Sequence, residues 1–124
     1  MIFNGIGRRF STENDRQYED IGRFWDDMAA VYGRENLLGL GWDWCGDSLM
    51  YAIGRLDQPF KGAMTGMEAI CIDLPESGWQ IWTGETDRLD ELYGRIYRDG
   101  PLTYEIERFS DDGKCRIDVY REQK

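Results

Sequence analysis

Leu102-Thr103-Tyr104-Glu105-Ile106-Glu107-Arg108-Phe109 is the stretch on which the reading of this 124-residue chain turns. Gly100-Pro101 before it and Ser110-Asp111-Asp112-Gly113 after it are turn signals. The residues between suit a β-strand, in which successive side chains point to opposite faces. Tyr104 and Ile106 then share a face of ordinary core character. Thr103, Glu105, Glu107 and Phe109 share the other face, which carries two carboxylates and an aromatic ring. A carboxylate at a half-buried position is costly unless something compensates it. That face therefore either meets water or looks onto a group that supplies the missing positive charge.

Outward from this strand, a loop leads to a closing strand, Cys115–Arg121. Upstream, Leu89, Leu92, Tyr93, Ile96 and Tyr97 recur at helical spacing, with Thr86 as the expected N-cap. Before them, Met67–Leu74 forms a near-continuous apolar strand and Trp79–Thr83 continues extended. The first half shows the same order. Ile2–Phe10 reads as a strand. Asn14 is the expected N-cap of a helix, with Gln17 in capping-box position. Tyr18, Ile21, Trp25, Met28 and Tyr32, joined by Phe24 and Val31, form that helix's apolar stripe, and Gly33 closes it. Leu38–Trp44 and Leu49–Leu56 then form a hairpin about Cys45-Gly46-Asp47, and Gln58–Gly66 reads as a linker.

The expectation is one α+β domain spanning residues 1–124, made of duplicated strand–helix–strand–strand units at about 1–57 and 67–124. The units would be related by a pseudo-twofold, forming an antiparallel sheet with two helices on one side and a central cleft on the other. Leu40-Gly41-Trp42-Asp43-Trp44 occupies the place of Glu105–Phe109 in this reading. Trp42 and Trp44, on one strand face, would then join the glutamate-bearing face in the cleft. Trp25 is either core or cleft wall. Trp79 and Trp82 fall on opposite faces of a regular strand, so only one reaches the cleft, and we take Trp82. Tyr93 and Tyr97 are read as packing their helix on the sheet.

Composition narrows the function classes. Asp and Glu number 24 against 15 Lys and Arg, a net charge of −9, and no basic cluster exists to neutralise phosphates. Nucleic acid is therefore not expected as a partner, whereas cationic ligands suit the charge. With no His in the chain, the commonest general base and metal ligand is missing, and neither a metal nor a cofactor is expected. The three cysteines, Cys45, Cys71 and Cys115, form no CxxC and suit the reduced thiols of a cytoplasm. No signal peptide is read and no apolar run approaches about 18 residues, so a cytoplasmic chain with no membrane partner is expected, as monomer or homodimer.

Several segments carry a family pattern in order. Phe24-Trp25-Asp26-Asp27-Met28 looks like a Leu-Trp-x-x-Phe helix segment. Met50-Tyr51-Ala52-Ile53-Gly54-Arg55 matches a Tyr-x-x-Gly-hydrophobic strand. Leu74-Pro75 followed by Trp79-Gln80-Ile81-Trp82-Thr83-Gly84-Glu85 looks like Pro-x-x-x-Tyr-x-x-Phe-x-Gly, and Ile106-Glu107-Arg108-Phe109 resembles Phe-Glu-x-Tyr. In their order and spacing they resemble the GyrI-like small-molecule-binding family, which includes effector-binding domains of AraC-type and MerR-type regulators. Phe109 stands where the family usually has Tyr, and Ile117-Asp118-Val119-Tyr120 lacks the usual Pro after it. No helix-turn-helix precedes the pattern, so a free-standing module is expected.

The resemblance implies a drug or effector sensor, or a sequestering module, for lipophilic and often cationic small molecules. Glu107 would be the pocket carboxylate and Glu105 a second one on the same face. Trp25, Trp42, Trp44, Trp82 and Phe109 would supply aromatic lining, and the Tyr51 hydroxyl would reach the ligand or Glu107. An alternative drawn from the same family is hydrolysis of cyclopropane-bearing toxins, with Glu107 and Tyr51 as the catalytic pair. A further alternative is an interaction module of the gyrase-inhibitor kind.

Overall fold

The computed structural model describes residues 1–122; the last two residues of the expected 1–124 domain lie outside them. Its elements are β1 (Ile2–Ser11), α1 (Gln17–Tyr32), β2 (Leu38–Cys45), β3 (Ser48–Leu56), β4 (Glu68–Asp73), β5 (Gln80–Glu85), α2 (Leu89–Arg98), β6 (Tyr104–Phe109) and β7 (Lys114–Tyr120). The fold is α+β. One open sheet of seven strands runs in the order β4-β1-β3-β2-β6-β7-β5, and every neighbouring pair is antiparallel.

The helical period of the two apolar stripes is realised in packing, except that Val31, expected in the first stripe, is 71% exposed. Phe24, Trp25 and Met28 of α1 and Leu92, Tyr93 and Ile96 of α2 are buried against Phe10, Tyr51, Ile53, Phe109, Ile117 and Val119 of the sheet. A buried side chain of this size contributes about 1.5–3 kcal/mol, so this layer supplies most of the hydrophobic drive. Phe60 of the linker packs against Tyr32 with ring centroids 5.1 Å apart and the rings tilted at 59°, which ties the connection to α1. The opposite face has its own cluster of Phe3, Leu38, Leu40, Ala52, Leu74 and Ile106, to which neither helix contributes. Trp79 helps to close it, lying 6.4 Å from Tyr104 and 5.6 Å from Tyr120 between ring centroids, with its indole N–H on the Pro75 carbonyl at 2.8 Å.

Three local expectations are corrected. Asn14 does not cap α1. It takes φ +53° in a short 3-10 turn, and α1 starts after Arg16 with no side-chain cap. Thr86 likewise opens a 3-10 turn, and α2 begins three residues later, at Leu89. The Met67–Leu74 and Trp79–Thr83 segments are not one interrupted strand. β4 pairs with β1 at one edge of the sheet, whereas β5 pairs with β7 at the other. The strand that leads into the second helix is therefore β5. β4 is largely exposed, which an edge strand tolerates because only one of its sides is covered.

Among the described residues, no helix is long and apolar enough to cross a membrane.

Candidate functional site

β6 pairs with β2 so that Gly39 stands opposite Glu107, Leu40 opposite Ile106 and Gly41 opposite Glu105. Alternation then puts both glutamates and both glycines on the helix-bearing face. The glycines leave the space that the acids and their partner need. A Cβ on Gly39 would lie 2.0 Å from the Tyr51 hydroxyl oxygen, and one on Gly41 would lie 2.9 Å from Glu105 Oε1. Glycine inside a strand weakens it but admits such close approach.

Above this floor lies a cavity of about 340 Å³, at the small end of ligand pockets, walled by α1 and α2 as well as by the sheet. The cavity is thus on the same side of the sheet as the helices, and the expectation that helices and cleft occupy opposite sides is corrected.

Glu107 is 4% exposed and both its oxygens are engaged. The Tyr51 hydroxyl donates to Oε1 and the Tyr93 hydroxyl donates to Oε2. Trp25 Nε1 in turn donates to the Tyr51 oxygen at 2.7 Å, which fixes the direction of the chain Trp25 to Tyr51 to Glu107. Burial pushes the Glu107 carboxyl up from its ordinary value, and the two phenol bonds partly offset that. Burial, together with the nearby carboxylates, pushes the Tyr51 and Tyr93 phenols well up, so both remain proton donors.

Glu105 differs. It is 3% exposed and its Oε2 has no hydrogen-bond partner. Burial first, and the Glu107 charge second, hold its carboxyl well above the usual carboxylate range, with the Tyr97 hydroxyl acting in the other direction. Among the described residues no lysine or arginine forms an ion pair with either glutamate. Arg34, on the cavity wall, is paired instead with Asp26 at 3.1 Å and lies 5.7 Å from the centre of the Trp25 ring.

The aromatic expectations divide. Trp25, Trp44, Tyr51 and Phe109 line the cavity, with Trp25 and Phe109 edge to face at 5.0 Å. Trp42 does not join them, and the expectation that Trp42 and Trp44 share a strand face is corrected. It packs on the opposite face of the sheet, in the cluster with Leu40 and Ile106. Between Trp42 and Cys45 the pairing of β2 with β3 shifts by one residue, a β-bulge in which Asp43 takes φ +53°. The extra residue turns Trp44 to the helix side while Trp42 stays behind. Arg9 of β1 holds the bulge, donating to the Asp43 carboxylate at 2.5 Å and to its carbonyl at 3.3 Å. Trp82 lies on the helix side against the core but outside the cavity wall, with its indole nitrogen buried and unpartnered.

Among the wall residues that sequence reasoning did not single out as site residues are Gln17, Tyr18, Tyr93 and Tyr97. Tyr93 and Tyr97 share one face of α2 at i and i+4 and stack at 5.5 Å, and that spacing was the available signal. Tyr18 and Tyr97, each 44% exposed, stand at the mouth of the cavity. Among the described residues no group of His, Cys, Asp and Glu is placed to hold a metal ion.

No known protein family and no curated protein matches this chain.

Proposed function

We propose that the protein binds lipophilic organic cations in the cavity between α1 and α2, as a sensor or sequestering module. The observation that carries this is Glu105, a carboxyl that is 3% exposed, has no cationic partner and leaves one oxygen unbonded in a wall of aromatic rings. A ligand cation supplies the counter-charge, and its rings gain contact with Trp25, Trp44 and the rim tyrosines, at about 0.5–2 kcal/mol for each cation–π contact. Glu107 sets the field and holds Tyr51 and Tyr93, while Glu105 meets the charge. The strand order supports the idea of two related units. With β4 set aside, β1-β3-β2 and β6-β7-β5 are two three-stranded units meeting at β2 and β6. In each, the outer strand precedes the helix, so the cavity would be the cleft at their junction.

The test is a fluorescence and calorimetric titration with a rhodamine-type cation and an uncharged compound of the same ring system. The cation should bind and quench tryptophan emission. Glu105→Gln should weaken the cation by about 1–3 kcal/mol and the uncharged compound by much less. Equal weakening of both would show Glu105 to be structural, and no binding of either would overturn the reading.

Hydrolysis of a strained electrophile is a second reading, favoured by one point. A raised, unbonded carboxyl beside phenol donors is placed to take a proton from water, and that group is Glu105, because both Glu107 oxygens are engaged. Product analysis with a cyclopropane alkylator decides it.

A further inference from the structure

The cavity holds two buried oxygens without partners, and both are acceptors. Glu105 Oε2 is one; the other is Oε1 of Gln17, the first residue of α1. A buried acceptor left unbonded costs free energy that a matching donor recovers. The indole and phenol donors around Glu107 are already committed. Trp25 Nε1 is given to Tyr51, and the Tyr51 and Tyr93 hydroxyls are given to Glu107. A ligand that carries charge but no hydrogen on it would leave Glu105 Oε2 and Gln17 Oε1 as they are. A ligand with N–H groups on its cationic nitrogen fills one or both.

We infer that the site selects protonated amines, primary or secondary ammonium groups on an aromatic body, over quaternary ammonium ions and dyes whose charge carries no N–H. Glu105 Oε2 accepts one ammonium hydrogen in a charge-assisted bond, Gln17 Oε1 accepts another, and the aryl group packs between Trp25 and Trp44. This rests on the cation-binding reading above and adds to it which cations are held.

The experiment uses an arylethylammonium, its N,N,N-trimethyl counterpart and the uncharged methyl ether of the same aryl group, each titrated calorimetrically into the full chain. The ammonium should bind about tenfold or more tightly than the trimethyl ion, which is the worth of a hydrogen bond to a charged group. Glu105→Gln should collapse that ratio towards one, and Gln17→Met should reduce it. Trimethyl binding as tight as the ammonium, or a ratio that survives Glu105→Gln, would overturn the inference and leave cation binding standing. If neither cation outbinds the ether, the cation-binding reading fails, and this inference fails with it.

Discussion

The two faces of the sheet treat buried acids in opposite ways. On the face without helices, Asp118 is 6% exposed and accepts from two guanidiniums, Arg108 at 2.9 Å and Arg116 at 2.8 and 3.1 Å. On the face with helices, Glu105 and Glu107 are as deeply buried, two residues apart, with tyrosine hydroxyls for company and no ion pair. One strand, β6, contributes to both arrangements: Arg108 points to one side and its neighbour Glu107 to the other. A buried acid with its cation in place is finished as structure. A buried acid without one stores a cost that a ligand can relieve. The contrast, more than the burial, is the reason we propose the helix side as the site.

Removing the cations from the finished face should have the largest effect. The double substitution Arg108→Met with Arg116→Met strands Asp118 and should destabilise the fold by about 3 kcal/mol, at the low end for a buried pair because both guanidiniums reach water. Urea unfolding measures it, and a change under 1 kcal/mol would mean that Asp118 does not need its partners.

Tyr51→Phe should cost about 2 kcal/mol, since it strands Trp25 Nε1 and removes a donor from Glu107 at once. Tyr93→Phe strands no donor and should cost less, by the same unfolding assay.

Glu105→Gln should act in the other direction. Its carboxyl is raised in the folded chain, so its contribution to stability is fully present below the unfolded value of about 4.3 and is lost as the pH rises through the folded value. Replacing it should therefore stabilise the empty protein by about 1–2 kcal/mol at pH 8 and by almost nothing at pH 4. Thermal unfolding across that range checks the sign, and destabilisation at pH 8 would show that Glu105 already has a partner.

The smallest difference separates two tryptophans on one strand. Trp44→Ala should weaken a bound aromatic cation by about 1 kcal/mol, whereas Trp42→Ala should leave its affinity unchanged because Trp42 faces the other way.

How much of this was legible in the sequence depended on how local the cause was. The alternation of Tyr104 and Ile106 against Glu105 and Glu107 is a property of six residues in a row, and it holds in β6. The two helical stripes are equally local. The partition of β4 and β5 to opposite edges depends on pairing with strands far along the chain, and no local pattern carries it. Gly39 and Gly41 read as weak points in a strand when taken alone. Their purpose shows only once Tyr51 and Glu105 are seen lying over them. The bulge is in between. Asp43 is a residue type that tolerates the left-handed region, but Arg9, thirty-four positions away, secures it there.

That bulge has a consequence for how this chain can vary. A strand keeps a two-beat rhythm, and Asp43 inserts one extra beat immediately before Trp44. Because the bulge absorbs that beat, Asp43 and Trp44 together stand opposite Leu49, and Trp44 takes the cavity side of that partner. Deleting Asp43 would restore the plain rhythm and leave Trp44 on that side. Losing the bulge with every residue kept, as when the Arg9 anchor is removed, would instead carry the indole ring to the side of Trp42. The cavity can therefore be redrawn by regularising the backbone alone, while both glutamates and both glycines stay where they are.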